Sequence, residues 1–72
     1  MRDLPPLPAL RAFESAARLG SVTRAAEELH LTHSAISHQI KQLEALIGTP
    51  LFEREGKRIA LTPAGRVYAY EV

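Results

Sequence analysis

The 72-residue sequence contains no cysteine, no tryptophan and a single aspartate, Asp3. Without cysteine it forms neither a disulfide nor a cysteine-ligated zinc site, which fits a reducing cytoplasm. Its apolar runs are too short for a signal peptide or a membrane span. A catalytic Ser/His/Asp set and a glycine-rich phosphate loop are both missing. We therefore expect no enzyme, no cofactor and no membrane protein.

The three histidines are the remaining candidate metal ligands. His30 and His33 flank a predicted turn, and His33 and His38 are five residues apart. Two ligands on one helix face need a spacing of three or four, and no cysteine joins these histidines. The sequence therefore predicts no metal site.

The charge is nearly balanced but unevenly distributed. The formal net charge is only +1, which by itself argues weakly against a nucleic-acid partner. Between Leu29 and Leu43, however, there is no acidic residue, while Lys41 and all three histidines fall in that window. A second basic cluster, diluted by Glu53 and Glu55, comprises Arg54, Lys57, Arg58 and Arg66. This local bias favours a polyanion over a neutral partner.

Two short amphipathic helices separated by a tight turn are predicted between Ser21 and Gly48. The first, residues 22–29, has apolar residues at i, i+3, i+4 and i+7, with small alanines at its centre. The second, residues 33–47, has a similar stripe and a polar opposite face. Ser21 and Thr32 are the expected N-caps, and Ala26 is expected where the two helices meet. This pair is typical of a helix-turn-helix.

The flanking segments complete the architecture. An earlier helix is predicted near residues 8–19, with a buried stripe of Leu10, Phe13 and Ala17 and a stop at Gly20. A hairpin is predicted between Leu51 and Leu61, followed by a helix over 63–72. The fold class is therefore mainly α with a small β-hairpin. It is a winged helix-turn-helix with a three-helix core, a β-wing and the start of a fourth helix.

The polar face of the 33–47 helix is the candidate DNA-reading surface. Lys41 would neutralise a phosphate or reach a guanine edge, and the serines and His38 would hydrogen-bond bases or backbone. Thr32 and His33 lie at the helix start, where backbone amides favour a phosphate. An ordinary solvated helix face is the alternative. The candidate residues on this helix are Thr32, His33, Ser34, Ser37, His38 and Lys41.

The predicted wing adds three candidate cations, Arg54, Lys57 and Arg58. They would contact the DNA backbone or the minor groove. Two alternatives remain: the charges only keep the hairpin soluble, or Arg54 pairs with a carboxylate such as Glu44 or Glu53.

A family resemblance rests on many spaced matches rather than on one motif. The matching segments are 10–14, 20–21, 25–29, 34–37, 39–41, 43–44, 50–54 and 61–65, together with Thr32 and Gly48. With these matches, nearly the whole chain resembles the N-terminal DNA-binding domain of LysR-type transcriptional regulators. The opening at Leu4-Pro5-Pro6-Leu7 is similar to the branch containing glycine-cleavage activators and β-lactamase regulators. His33 and His38 depart from the amide and arginine common in the family, which weakens any transfer of base preference.

The resemblance implies a bacterial regulator that binds an interrupted palindromic operator in double-stranded DNA. It further implies a homodimer through the helix starting at Pro63 and a small-molecule effector bound only by a missing C-terminal domain. Residues 1–62 would form the DNA-binding domain and 63–72 the start of a truncated linker helix. We expect an excised N-terminal piece of a longer protein, with a complete small protein as the alternative. A winged-helix protein-interaction module and another winged-helix repressor family are the competing functional interpretations.

Overall fold

The computed structural model describes residues 6–56 and 58–71, without the side chain of Glu71. The predicted mainly α fold with one hairpin is confirmed, and most boundaries agree within one residue. Lys57 and Val72, for which we made predictions, lie outside the described residues. The elements in chain order are α1 (Leu7–Leu19), α2 (Val22–Leu29), α3 (His33–Ile47), β1 (Phe52–Glu55), β2 (Arg58–Leu61) and α4 (Pro63–Glu71).

Local capping residues define the helix boundaries. The Ser21 hydroxyl accepts from the Arg24 amide at 3.1 Å and starts α2. Gly20 and Gly48 end α1 and α3 in the left-handed region, at φ 66° and 88°. His30 ends α2 with a φ of 58°, a conformation that non-glycine residues seldom adopt. The turn between α2 and α3 thus begins at His30, directly after the predicted helix end at Leu29.

The buried face of α1 differs from the predicted stripe. Phe13 is buried as expected, but Leu10 and Ala17 are only half-buried at the edges of the face. Small side chains occupy its centre, because α1 lies close to both α2 and α3 and leaves little room there. The other buried residues of α1 are Ala9, Ala12, Ser15 and Ala16.

Two apolar clusters form the core. The first lies among α1, α2 and α3 and consists of small and β-branched residues. The second lies among α1, α3, the hairpin and α4, and is built around the Phe13 ring. Within the described residues, no helix is both long and apolar enough to cross a membrane. The members of the first cluster are Ala12, Ala16, Ala25, Ala26, Ile36 and Ile40, and those of the second are Ala9, Phe13, Leu43 and Leu51.

Overpacking at Ala26 tests how closely α2 and α3 approach. Ala26 is 6% exposed and belongs to the first cluster, as predicted for the helix junction. We expect Ala26→Leu to reduce the free energy of unfolding by about 1–3 kcal/mol, because the added carbons have no space. Thermal denaturation measures the loss. The control is Thr23→Leu, which introduces the same side chain at an exposed position of the same helix; equal melting temperatures for the two variants would contradict close packing.

A polar network joins α1 to α2 beside the first cluster. The buried Ser15 hydroxyl donates to Glu28 Oε1 at 2.6 Å. Arg18 donates to both Glu28 oxygens, at 2.7 and 2.6 Å, and to Glu14 at 2.9 Å. The hydrogen bond from Ser15, reinforced by the one from Arg18, lowers the pKa of the Glu28 carboxyl below its ordinary value of 4.5. The network therefore favours the ionised carboxylate and orients α2 on α1.

The lowered pKa of Glu28 predicts that the free energy of unfolding decreases at acid pH. The stabilisation by Glu28 is complete above the unfolded-state pKa near 4.5 and is lost as the pH falls through the lower folded-state pKa. Urea denaturation of the parent and of Glu28→Gln should therefore give stability curves that converge as the pH falls below 4.5. Ser15→Ala should weaken the same dependence. Parallel curves at all pH values would contradict the role of this network.

Candidate nucleic-acid interface

The outward face of α3 is positioned by the burial of its inner stripe. Ile36, Ile40 and Leu43 are buried against the core, so the residues between them point away from it. On the outer side, Ser34, His38 and Lys41 are exposed and Ser37 is half-buried. The four predicted reading residues of this face are therefore presented together on one surface of the domain.

The N-terminus of α3 adds hydrogen-bond donors at one end of this face. Thr32 Oγ1 accepts from the Ala35 amide at 3.0 Å, so the predicted cap is present. Thr32 and His33 are both exposed. The first turn of α3 contains no acidic residue, which leaves the positive end of the helix dipole available to an anion. Thr32 thus has a structural role besides its candidate contact.

The hairpin stands beside α3 and forms a cleft with it. The register pairs Phe52 with Leu61 and Glu55 with Arg58, and Gly56 enters the turn at φ 67°. The cleft has a volume of about 210 Å³. Its polar lining comes from Ser37, Lys41 and Glu44 on α3 and from Glu53 and Arg54 on β1, and its apolar lining from Val22, Ile40, Phe52 and Ile59.

The described wing cations do not share one surface. Arg54 lines the cleft opposite Lys41. Arg58 lies near the turn between α1 and α2, where its Nη2 is 3.9 Å from the position that a β-carbon on Gly20 would take. The structure thus brings Arg54 to the α3 face and places Arg58 at a separate edge, whereas Lys57 lies outside the described residues. Among the salt bridges of residues 6–56 and 58–71, none involves Arg54.

Glu44 is a residue of this region whose contact was not predicted. Its Oε2 accepts from the backbone amides of Leu51 and Phe52, at 2.8 and 3.3 Å. The predicted alternative, in which Glu44 pairs with Arg54, is therefore replaced by a link from α3 to the start of β1. Sequence reasoning had no signal for it, because a lone glutamate near a helix end does not indicate where the following strand returns.

The hairpin base is also held by α4. Thr62 Oγ1 accepts from the Gly65 amide at 3.0 Å and donates to the Pro50 carbonyl at 2.8 Å. Gly65 lies so close to Leu51 that a β-carbon would come within 2.2 Å of the Leu51 carbonyl oxygen. Tyr68 packs edge-on against Phe13, at 5.4 Å between ring centroids, and burial raises the pKa of its phenol. α4 is thus docked on the core, whereas its outer residues Val67 and Tyr70 are exposed.

The side chains that could bind a metal ion do not form a metal centre in the part of the chain that the structure describes. There, no three His, Cys, Asp or Glu side chains are grouped closely enough to hold a metal ion. The arrangement presents a polar helix face with a neighbouring wing, which can meet an extended, negatively charged groove. The fold and this surface define a winged helix-turn-helix protein.

Comparisons with known proteins identify the family. The model of bacterial regulatory helix-turn-helix proteins of the LysR family matches residues 7–66. The chain is 56% identical, over 64 residues, to the HTH-type transcriptional regulator TrpI of Pseudomonas aeruginosa, covering 89% of this chain and 22% of the relative. It is 52% identical, over 71 residues, to the glycine cleavage system transcriptional activator of Escherichia coli K12, covering 99% and 23%.

A solved structure agrees with these sequence relatives. The crystal structure of the CbnR DNA-binding domain in complex with DNA superimposes with a TM-score of 0.83 at 35% identity, covering 88% of this chain and 72% of that chain. The chain belongs to the LysR family of bacterial regulatory helix-turn-helix proteins. The predicted resemblance to LysR-type regulators is confirmed, and a glycine cleavage activator is among the similar relatives. The chain spans less than a quarter of the length of the two curated relatives.

Proposed function

We propose that residues 1–62 bind double-stranded DNA sequence-specifically, with α3 in the major groove. The observation that carries this proposal is the projecting face of Ser34, Ser37, His38 and Lys41, which is accessible and lies within a stretch free of acidic residues. An α-helix fits the major groove, and hydroxyl, imidazole and ammonium groups form hydrogen bonds with base edges and phosphates there. Thr32 and His33 would meet a phosphate at the helix start.

The wing would contact the backbone or minor groove beside α3. Arg54 is the strongest candidate, because it lines the cleft that Lys41 also borders. Arg58 would reach DNA only along the edge near Gly20. Lys57 is proposed from the sequence alone, as a cation following the hairpin glycine. These contacts would position the domain, and those of α3 would specify the sequence.

A salt series on selected DNA tests this function against a protein-interaction module. A random pool of duplexes is first selected on the 72-residue chain, and the best duplex is compared with its scrambled counterpart in gel shifts. We expect tighter binding to the selected duplex. The association constant should also fall with salt, by about 0.9 logarithmic units per tenfold increase in salt concentration for each phosphate contact. Enrichment of no sequence, with equally weak binding to all duplexes, would favour the protein-interaction module.

The remaining features of the whole protein are also proposals. The family membership supports a longer regulator that binds an interrupted palindromic operator as a homodimer. A small-molecule effector would bind a C-terminal domain that is not in this chain. The relatives are named as transcriptional regulators, which supports a non-enzymatic role in the bacterial cytoplasm. Residues 63–72 would form the start of the linker helix through which two subunits pair.

The pairing proposal has its own test on α4. The nine residues of α4 expose Val67 and Tyr70, a seam of only about two and a half turns. We therefore expect the 72-residue chain to be mainly monomeric in dilute solution and to pair only on DNA that carries two half-sites. Val67→Glu should abolish cooperative binding to such DNA without weakening binding to one half-site. A stable dimer of the parent chain in dilute sedimentation experiments would contradict the expectation.

A further inference from the structure

Glu44 connects the last turn of α3 to the first residues of the hairpin. One carboxylate oxygen accepts hydrogen bonds from two consecutive backbone amides, those of Leu51 at 2.8 Å and Phe52 at 3.3 Å. Charge-assisted bonds to amides are stronger than bonds between neutral groups. Among the side-chain hydrogen bonds of the described residues, these two are the ones that join α3 to the hairpin.

Two backbone hydrogen bonds of the hairpin tie it to elements other than α3. The Ile59 amide donates to the Gly20 carbonyl at 3.3 Å, which ties β2 to the turn after α1. The Thr62 amide donates to the Leu51 carbonyl at 3.0 Å, which closes the base of the hairpin near α4. Neither bond runs between β1 and α3. The two bonds to Glu44 do, and together with the packing of Phe52 against Phe13 they place the start of β1, two residues before Arg54, beside α3.

The location of Glu44 makes this role testable. Glu44 borders the same cleft as Lys41 and Arg54, so its negative charge faces the surface proposed to meet phosphates. On electrostatic grounds alone this carboxylate disfavours a polyanion. We propose that Glu44 is a positioning residue for DNA binding, which holds Arg54 of the wing beside α3 and does not itself contact DNA. This inference rests on the proposed function.

Three substitutions of Glu44 distinguish a positioning role from a direct effect of its negative charge. Binding to the selected duplex is measured for each. Glu44→Gln keeps an oxygen acceptor of the same reach and removes the charge. Glu44→Ala removes both, and Glu44→Asp keeps the charge but shortens the side chain by one methylene. A positioning role predicts that the glutamine variant binds at least as tightly as the parent, whereas the alanine and aspartate variants bind several-fold more weakly. A purely electrostatic role predicts that alanine and glutamine both bind more tightly and that aspartate resembles the parent.

Arg54→Ala, introduced into each background, shows whether the effect passes through the wing. In the glutamine background, Arg54→Ala should reduce the salt slope by about one unit, as expected for loss of one phosphate contact. In the alanine background, the same change should leave the slope unaltered, because the contact is already lost. All measurements are made well below the melting temperature of each variant, so that loss of folding does not enter the comparison.

The outcomes distinguish this inference from the proposed function. If the parent chain binds no duplex selectively, the proposed function fails and the role of Glu44 falls with it. If the parent binds and the Lys41→Ala variant loses affinity, the proposed function stands. In that case, equal binding by the glutamine and alanine variants, or an equal effect of Arg54→Ala in both backgrounds, would overturn the positioning role alone.

Discussion

Phe13→Ala is expected to remove a large part of the free energy of unfolding of this domain. The Phe13 ring is 1% exposed and lies 5.4 Å from both the Phe52 and the Tyr68 rings, measured between centroids. One side chain of α1 therefore packs against both the hairpin and α4. Truncating a buried phenylalanine costs about 3–5 kcal/mol, from lost burial and from the cavity that remains. A domain of this length has a total stability of roughly 4–11 kcal/mol.

Urea denaturation followed by circular dichroism measures this loss. The midpoint should move to much lower urea, with some unfolded protein already present without denaturant if the parent lies near the low end of that range. Leu46→Ala is the control, because Leu46 is also a large apolar residue but is 64% exposed. If the Phe13 and Leu46 variants unfold at the same urea concentration, the second cluster does not hold the three elements together.

The helix boundaries were predictable because their signals are local. Ser21 and Thr32 form their capping bonds within three residues, and Gly20 and Gly48 adopt the left-handed conformation that glycine tolerates. Each boundary follows from the residue type and its immediate neighbours. The end of α2 at Leu29 was also predicted correctly, but the left-handed φ of His30 was not, because glycine or asparagine is the usual signal for it.

The buried face of α1 was predicted less well, since hydrophobicity alone does not report how closely helices approach. Leu10 was expected in the core as part of a helical stripe with Phe13 and Ala17, yet Ala9 and Ala12 occupy the centre, where α1 meets its neighbours. The bond between Ser15 and Glu28 joins residues thirteen positions apart. Its formation depends on how α2 crosses α1, which no short sequence window encodes.

The candidate site likewise has one part that the sequence predicted and one part that it did not. The outer face of α3 follows from helical periodicity, so its exposed residues were predictable. The positions of the wing arginines depend on the register of the hairpin. Arg54 pairs with Ile59, and Arg58 pairs with Glu55. Because adjacent positions of a strand face opposite sides, the two arginines point away from each other. A sequence reading that grouped them by charge could not separate them.

Lys41→Ala and Ser37→Ala are expected to weaken DNA binding in different ways. Lys41 is exposed on α3 and borders the cleft together with Arg54. Its ammonium is the fixed positive charge of the α3 face, so its removal should weaken binding to selected and scrambled duplexes alike. If its partner is a phosphate, the salt slope should fall by about one unit.

The expected result for Ser37 follows from its size and neutrality. Ser37 is half-buried at the edge of the same cleft, and its hydroxyl affects affinity only through a direct hydrogen bond. If that partner is a base, Ser37→Ala should reduce the binding free energy by about 1–3 kcal/mol, through the loss of one base contact in the selected duplex. It should leave the salt slope unchanged. The control is Ala45→Ser, which adds a hydroxyl at an exposed position one turn beyond Lys41.

Fluorescence anisotropy on the selected and scrambled duplexes, across a salt series, separates these two effects. The lysine variant should lose affinity for both duplexes, with a shallower dependence on salt. The serine variant should lose affinity for the selected duplex alone, and the one base pair at which the parent discriminates but the variant does not would identify the base that Ser37 reads. Because α3 is the element that presents both side chains, parent-like binding by both variants would show that α3 is not the reading helix.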